Sequence, residues 1–218
     1  MMHKRPCVIL VADSNMAAAF RGFFQREGWH LSLGCAPFEI NTQVGADLIV
    51  DEGGNDPGVY TKGHELLRPY QSSHQHAIVV LDCEWDGSPG KAAIEAHITE
   101  QLVASGWADG AVKVIAIDPE LENWLWQDKP QVAQALRYKG QPPLRQLLAD
   151  NGWWPLGAAK PPRPKEAAQW VLRQTRQPRS SAIYQQLAAQ VSTKGCTDAA
   201  FGELNATLQA WYPQERAA

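Results

Sequence analysis

The chain contains no uninterrupted apolar run near the roughly 18–20 residues that a membrane-spanning helix requires. Its first twelve residues are too short, and meet an acid too soon, for a secretory signal, so a cytoplasmic location and no membrane partner are expected. Cysteine is sparse: Cys7, Cys35, Cys83 and Cys196 lie far apart, with no Cys-x-x-Cys pair and no histidine at finger-like spacing. Neither a disulfide framework nor a structural zinc site is therefore indicated, and four free thiols in a reducing compartment are expected. Internal repeats and low-complexity tracts are also missing, so nothing points to a repeat architecture. What is present is an ordinary globular composition, 218 residues with 44% hydrophobic side chains, enough to bury a substantial core. The net charge of −3 conceals a division. Residues 1–128 carry 8 Lys/Arg against 18 Asp/Glu, and residues 129–218 carry 12 against 5. An acidic half suited to cations thus precedes a basic half suited to a polyanion.

Short apolar runs alternate with helix-like stretches through the acidic half, the pattern of a mostly parallel sheet wrapped by helices. Strands are predicted over 7–12, 77–81 and 112–117, with weaker candidates over 29–33 and 48–50. A helix over 14–27, capped by Ser14 or Asn15, presents Phe20, Phe23 and Phe24 and stops at Gly28. Further helices are predicted over 91–104 and over 120–127, the latter with Pro119 in its first turn. Beyond 128 the strand signals end. Four helices are predicted over 144–149, 164–175, 180–191 and 199–211, with a Pro-rich connector over 153–164. The chain accordingly divides into an α/β domain, 1–128, and a basic helical region, 129–218, able to pack on the same core.

Asp13, Asp51, Asp82 and Asp118 each follow a candidate strand. In an open parallel sheet, loops beyond the carboxyl ends of the strands converge on the ligand site. Clustered carboxylates raise one another's pKa and are costly unless a cation neutralises them, and Mg²⁺, a hard oxygen-seeking ion, suits such a group. Asp82-Cys-Glu84-Trp-Asp86-Gly87 is the densest acidic stretch; its three acids share a side if the chain stays extended, and Gly87 favours a turn. The bland alternative is a solvated loop whose acids cap the next helix. His74-Gln-His76 offers two loop histidines without a third ligand, more in keeping with ordinary polar residues than with a transition-metal site.

Taken together, Asp13 after the first strand and Asp82-x-Glu84 after a later one resemble the TOPRIM fold of topoisomerases, primases and related nucleases. A closer resemblance is to small stand-alone TOPRIM-like proteins of prokaryotic phage-defence and restriction-associated islands. It rests on Ile117-Asp-Pro-Glu-Leu-Glu122-Asn-Trp124-Leu125-Trp-Gln-Asp128, then Pro164-Lys165-Glu166, then Ser181-Ala-Ile-Tyr184. Two positions depart from the family pattern. Asp13, followed by Ser14, replaces the usual Glu-Gly, and Glu84 replaces the second Asp, so one carboxylate reaches a methylene less far and the other a methylene further.

The resemblance implies an α/β TOPRIM-like sheet and phosphodiester chemistry with Mg²⁺ or Mn²⁺. Asp13, Asp82, Glu84 and Glu122 are then the expected catalytic residues and Asp13, Asp82, Glu84 and Asp86 the expected metal ligands. Glu122 is equally open to acting as a further ligand or general base and to merely capping a helix or pairing with an arginine of the helical region. Asp51 and Asp118 are expected to serve turns and caps, and Ser14 lacks a neighbouring base that would make it a nucleophile. Lys160, Arg163, Lys165, Arg173, Arg176 and Arg179 form the expected nucleic-acid contact, DNA foremost, through charge rather than sequence. Trp85, Trp153 and Trp154 are able to stack on bases, although core or interface packing is the more ordinary role for most of the nine tryptophans. The expected function is a nuclease or phosphoryl-transfer component of an anti-phage system, with other defence proteins as partners. The competing expectation, favoured by the Asp13 and Glu84 departures, is a non-catalytic subunit that binds nucleic acid or a nucleotide. A receiver domain, suggested by Asp13 and Asp51, fits less well, because Asp82 and Asp118 stand where a receiver needs Ser/Thr and Lys.

Overall fold

The computed structural model describes residues 4–193 and 196–214. Four parallel strands, β1 (Arg5–Val11), β2 (Leu48–Val50), β3 (His74–Asp82) and β4 (Val112–Ile117), form one sheet in the order β2-β1-β3-β4. Their apolar runs are continuous because both faces are covered: Val8, Ile9, Leu10, Ile78, Val79 and Ile115 are fully buried. Helices α1 (Ser14–Phe24) and α2 (Trp29–Leu33) lead to β2, α3 (Asp56–Leu67) returns to β3, and α4 (Lys91–Ser105) connects β3 to β4. The chain therefore moves one way across the sheet after β1 and the other way after β2. Right-handed crossovers then place α1 on one face and α3 and α4 on the other. The reversal leaves a crevice between the carboxyl ends of β1 and β3, where Asp13 and Asp82 lie.

Beyond β4 come α5 (Glu122–Leu125), α6 (Pro130–Ala135), α7 (Leu144–Asp150), α8 (Pro164–Gln174), α9 (Ser181–Gln190) and α10 (Ala199–Trp211). They share the core of the sheet: Val171, Leu187, Leu204 and Leu208 belong to one buried cluster with the strands. Phe23 of α1 meets Phe201 of α10 edge-on at 6.5 Å, and α9 packs along α1. Among the described residues no helix is long and apolar enough to cross a membrane.

Several local expectations are corrected. Residues 29–33 form a helix rather than a strand, because Trp29 and Leu33 bury at helical spacing and Gly28 and Gly34, at φ 64° and 69°, bound a single turn. The cap of α1 is Asp13, one residue earlier than expected. Its backbone is extended, and its carboxylate accepts from the amides of Asn15 (2.9 Å) and Met16 (2.8 Å). The helix expected over 120–127 contracts to Glu122–Leu125, which leaves Glu120 outside helical geometry. Helix α3 gives little signal in sequence because its buried stripe is Val59, Gly63 and Leu67, with a glycine where an apolar side chain is usual.

Candidate functional site

Asp82 ends β3, fixed through both its backbone amide and its carboxylate. Its amide donates to Asp56 Oδ1 at 2.7 Å, and its Oδ1 accepts from the Leu121 amide at 2.8 Å. The Leu121 side chain is buried, which anchors the link that leaves β4 through the cis Asp118–Pro119 peptide. Glu120 and Glu122, on either side of Leu121, both turn inward to Asp82. The three acids are 6%, 3% and 7% exposed respectively, and each has a carboxylate oxygen within 4.8 Å of the other two.

The helical region closes the site with positive charge. Lys165, in the first turn of α8, donates through its amide to Glu120 Oε1 (2.8 Å) and places Nζ 3.3 Å from Oε2. Arg179 Nη2 lies 3.1 Å from Glu122 Oε1, and the Tyr184 hydroxyl of α9 donates to the same oxygen at 2.5 Å. Tyr184 also accepts from Arg179 Nε (2.8 Å), so Glu122, Arg179 and Tyr184 form a closed triangle.

The electrostatics follow from burial. Loss of water raises the Asp82 carboxyl well above the ordinary range, and Asp56 and Glu122 push it further than the Leu121 amide and Lys165 pull it back. Burial and then Glu122 raise Glu120, against Lys165. Burial also raises Asp56, helped by Asp13, whose negative charge reaches it across the crevice. Burial alone would lower Lys165, but Glu120, Glu122 and Asp82 together hold it above its usual value. Burial and Glu122 keep the Tyr184 hydroxyl protonated, as a donor must be. Tyr184→Phe is therefore expected to cost about 1.5–3 kcal/mol, the range for a buried bond to a charged acceptor, measured as a lower urea midpoint at unchanged slope.

No family model, curated protein or solved structure matches this chain. The site must therefore be judged on its donor set. Three carboxylates converge at the carboxyl edge of a parallel sheet, all with hard oxygen donors and none with sulfur or imidazole. That set fits Mg²⁺ or Mn²⁺ and does not favour zinc or copper. Asp82, Glu120 and Glu122 are the residues that would hold the ion.

The other expected residues are dispersed. Asp13 lies on the same rim, engaged as the α1 cap, and its charge also bears on Arg179. Glu84 and Asp86 are exposed and outside the buried triad: the strand ends at Asp82, and the Cys83 and Glu84 amides turn to the Pro119 carbonyl, breaking the two-residue alternation. Asp51 is buried at the end of β2 against the first turn of α3, although Asn55 provides that helix's cap. Asp118 is exposed, and its carbonyl accepts from the Asn123 side chain. His74 bonds Asp47 and Ser73, while His76 bonds Tyr212 and stacks on Trp211, at the opposite end of β3 from Asp82.

The six basic residues likewise separate into groups. Lys165 and Arg179 belong to the acidic site, and Lys160 turns inward to the Trp126 carbonyl. Arg163, Arg173 and Arg176 remain exposed. Glu120 and Asp56 were not singled out by sequence. The available signal for Glu120 was its position beside Glu122 directly after a strand and a proline.

Proposed function

We propose that the protein is a Mg²⁺- or Mn²⁺-dependent phosphoryl-transfer enzyme of TOPRIM-like type that hydrolyses phosphodiester bonds in nucleic acid, DNA foremost. The setting, a prokaryotic anti-phage system, comes from the sequence resemblance alone. The observation that carries the chemistry is the buried Asp82–Glu120–Glu122 group, set beside the β1/β3 crevice and faced by Lys165 and Arg179. A bound divalent ion supplies charge stabilisation to the phosphoryl oxygens and to the attacking and leaving oxygens. The chain contributes the rest. The Leu121 amide fixes one oxygen of Asp82, Lys165 fixes Glu120, and Tyr184 with Arg179 fixes Glu122. Lys165 and Arg179, each with about a third of its side chain open to solvent, are also the cations nearest to an incoming phosphate.

A second reading, a non-catalytic subunit that binds nucleic acid or a nucleotide, is favoured by the ion pairs themselves. Glu120 and Glu122 each already face a cation, so the site is partly neutralised without metal. Metal titration by calorimetry, with cleavage assays on single- and double-stranded DNA, separates the two. Wild type is expected to bind the ion and cleave. Asp82→Asn is expected to lose more than about 100-fold in both, since partners that only support a ligand are worth about 10–100-fold. Nucleic-acid binding without metal uptake or cleavage would establish the second reading.

A further inference from the structure

The connector and α8 present an aromatic and basic surface that the acidic site does not use. Trp153 and Trp154 are adjacent yet take opposite roles. Trp154 is buried: its indole donates to the Ala158 carbonyl at 2.8 Å, meets Trp126 edge-on at 5.8 Å, and carries the Arg145 guanidinium at 4.4 Å. Trp153 is half-buried at the edge of the core beside half-buried Trp170 of α8, ring centres 6.1 Å apart and planes tilted by 37°. Neither of these two indole N–H groups donates to a protein acceptor among the described residues, so their polar edges are left to solvent. The Arg163 guanidinium lies 5.2 Å over the Trp153 ring.

Glu166, Trp170 and Arg173 follow one another at four- and three-residue spacing, which places them along one stripe of α8, and Arg163 stands at the N-cap with its guanidinium over Trp153. Arg163 and Arg173 are exposed and have no ion-pair partner among the described residues; Glu166, also exposed, interrupts the positive charge. Lys165, two residues from Arg163, reaches Glu120. The start of α8 therefore carries both a wall of the acidic site and one end of the aromatic surface.

We propose that Trp153 and Trp170, flanked by Arg163 and Arg173, form a stacking platform for single-stranded nucleic acid beside the acidic site. This rests on the reading that the substrate is nucleic acid, and it adds strand preference. Bases of a single strand offer free faces to indole rings while phosphates pair with arginines, whereas a duplex keeps its faces stacked inside. A buried aromatic pair would serve packing alone. This pair is half-buried, so part of each ring still meets solvent, and the cations around it match a phosphate backbone.

The test uses the full chain in EDTA, which prevents metal-dependent cleavage, with a fluorescein-labelled oligothymidylate and a duplex of equal length in anisotropy titrations. The single strand is expected to bind more tightly than the duplex. Trp153→Ala with Trp170→Ala is expected to weaken it by about tenfold or more, and Trp→Phe at both positions to recover most of the loss. Because both tryptophans also pack on the core, Arg163→Glu with Arg173→Glu supplies a surface variant, expected to weaken binding and flatten its salt dependence by a slope of about one or more. Duplex binding as tight as single-strand binding, or oligothymidylate binding unchanged in both double variants, overturns the platform. Metal titration of wild type without nucleic acid reads the acidic site by itself, so a failure of the catalytic reading and a failure of the platform are read separately.

Discussion

Metal-free Asp82→Asn is expected to melt higher than metal-free wild type at neutral pH, by about 3 °C or more, corresponding to about 1 kcal/mol in a chain of this length. Asparagine retains the carbonyl that accepts from Leu121 and adds donors facing Glu120 and Glu122, while a buried negative charge is removed from among its own kind. The pH dependence has a definite sign. The Asp82 carboxyl is raised on folding, so between the ordinary carboxylate range and its raised value the native state binds more protons than the unfolded state. Wild-type stability from this group is then full at low pH and falls as pH rises through that window. The advantage of the variant should accordingly be small near pH 4 and grow toward pH 7–8. Saturating Mg²⁺ or Mn²⁺ should reverse the order, because an ion at 100 times its dissociation constant stabilises wild type by about 2.7 kcal/mol and has a poorer site in the variant. Thermal melts in EDTA and in metal, across pH, make the comparison. A variant less stable than wild type in EDTA at neutral pH would mean that Lys165 and Arg179 more than offset the repulsion, which identifies the acids as a structural ion-pair network.

The sequence carried the sheet further than it carried the site, for physical reasons. A strand buried on both faces writes itself as an apolar run, and β1, β3 and β4 were legible from 7–12, 77–81 and 112–117 alone. Asp82 was legible as the acid at the end of such a run. Of its two neighbours, Glu122 was named through the resemblance and Glu120 was not, because the local conformation decides which side an acid takes. Glu120 and Glu122, two residues apart, would diverge on a continuous helix, yet they converge here because Glu120 precedes the helical dihedrals that start at Leu121. Glu84 failed in the opposite sense: alternation would have carried it beside Asp82, and the chain turns first. Lys165 and Arg179 counted toward a basic footprint for nucleic acid. In the fold they meet the acids of the other half, so part of the charge separation along the chain is satisfied internally. Tyr184 stood in the motif Ser181-Ala-Ile-Tyr184, but its bond to Glu122 spans 62 positions and depends on how α9 packs.

That packing leads to the second large effect, expected from Gly22→Ala. Gly22 lies in α1 where α9 crosses closest, and a Cβ there would sit 2.2 Å from the Gln185 carbonyl oxygen. The obstacle is backbone, so no rotamer relieves it, and the two helices must separate by about 1 Å to restore ordinary contact. Overpacking of this kind costs about 3 kcal/mol, at the upper end of its usual range. The melting temperature should fall by about 6–12 °C, measured by circular dichroism in EDTA. Far-ultraviolet dichroism and tryptophan fluorescence should lose signal together, because strands and C-terminal helices share one buried cluster and the boundary near residue 129 does not separate two cores. Two resolved transitions would contradict this. The same substitution also reaches the acidic site. Gln185 follows Tyr184 in α9, so displacing the helix draws the hydroxyl away from Glu122 and loosens the triangle with Arg179. Gly22→Ala should therefore weaken metal uptake as well as stability, and Tyr184→Phe, which removes the same bond to Glu122 but leaves the helix contact intact, should weaken metal uptake with the smaller loss of stability.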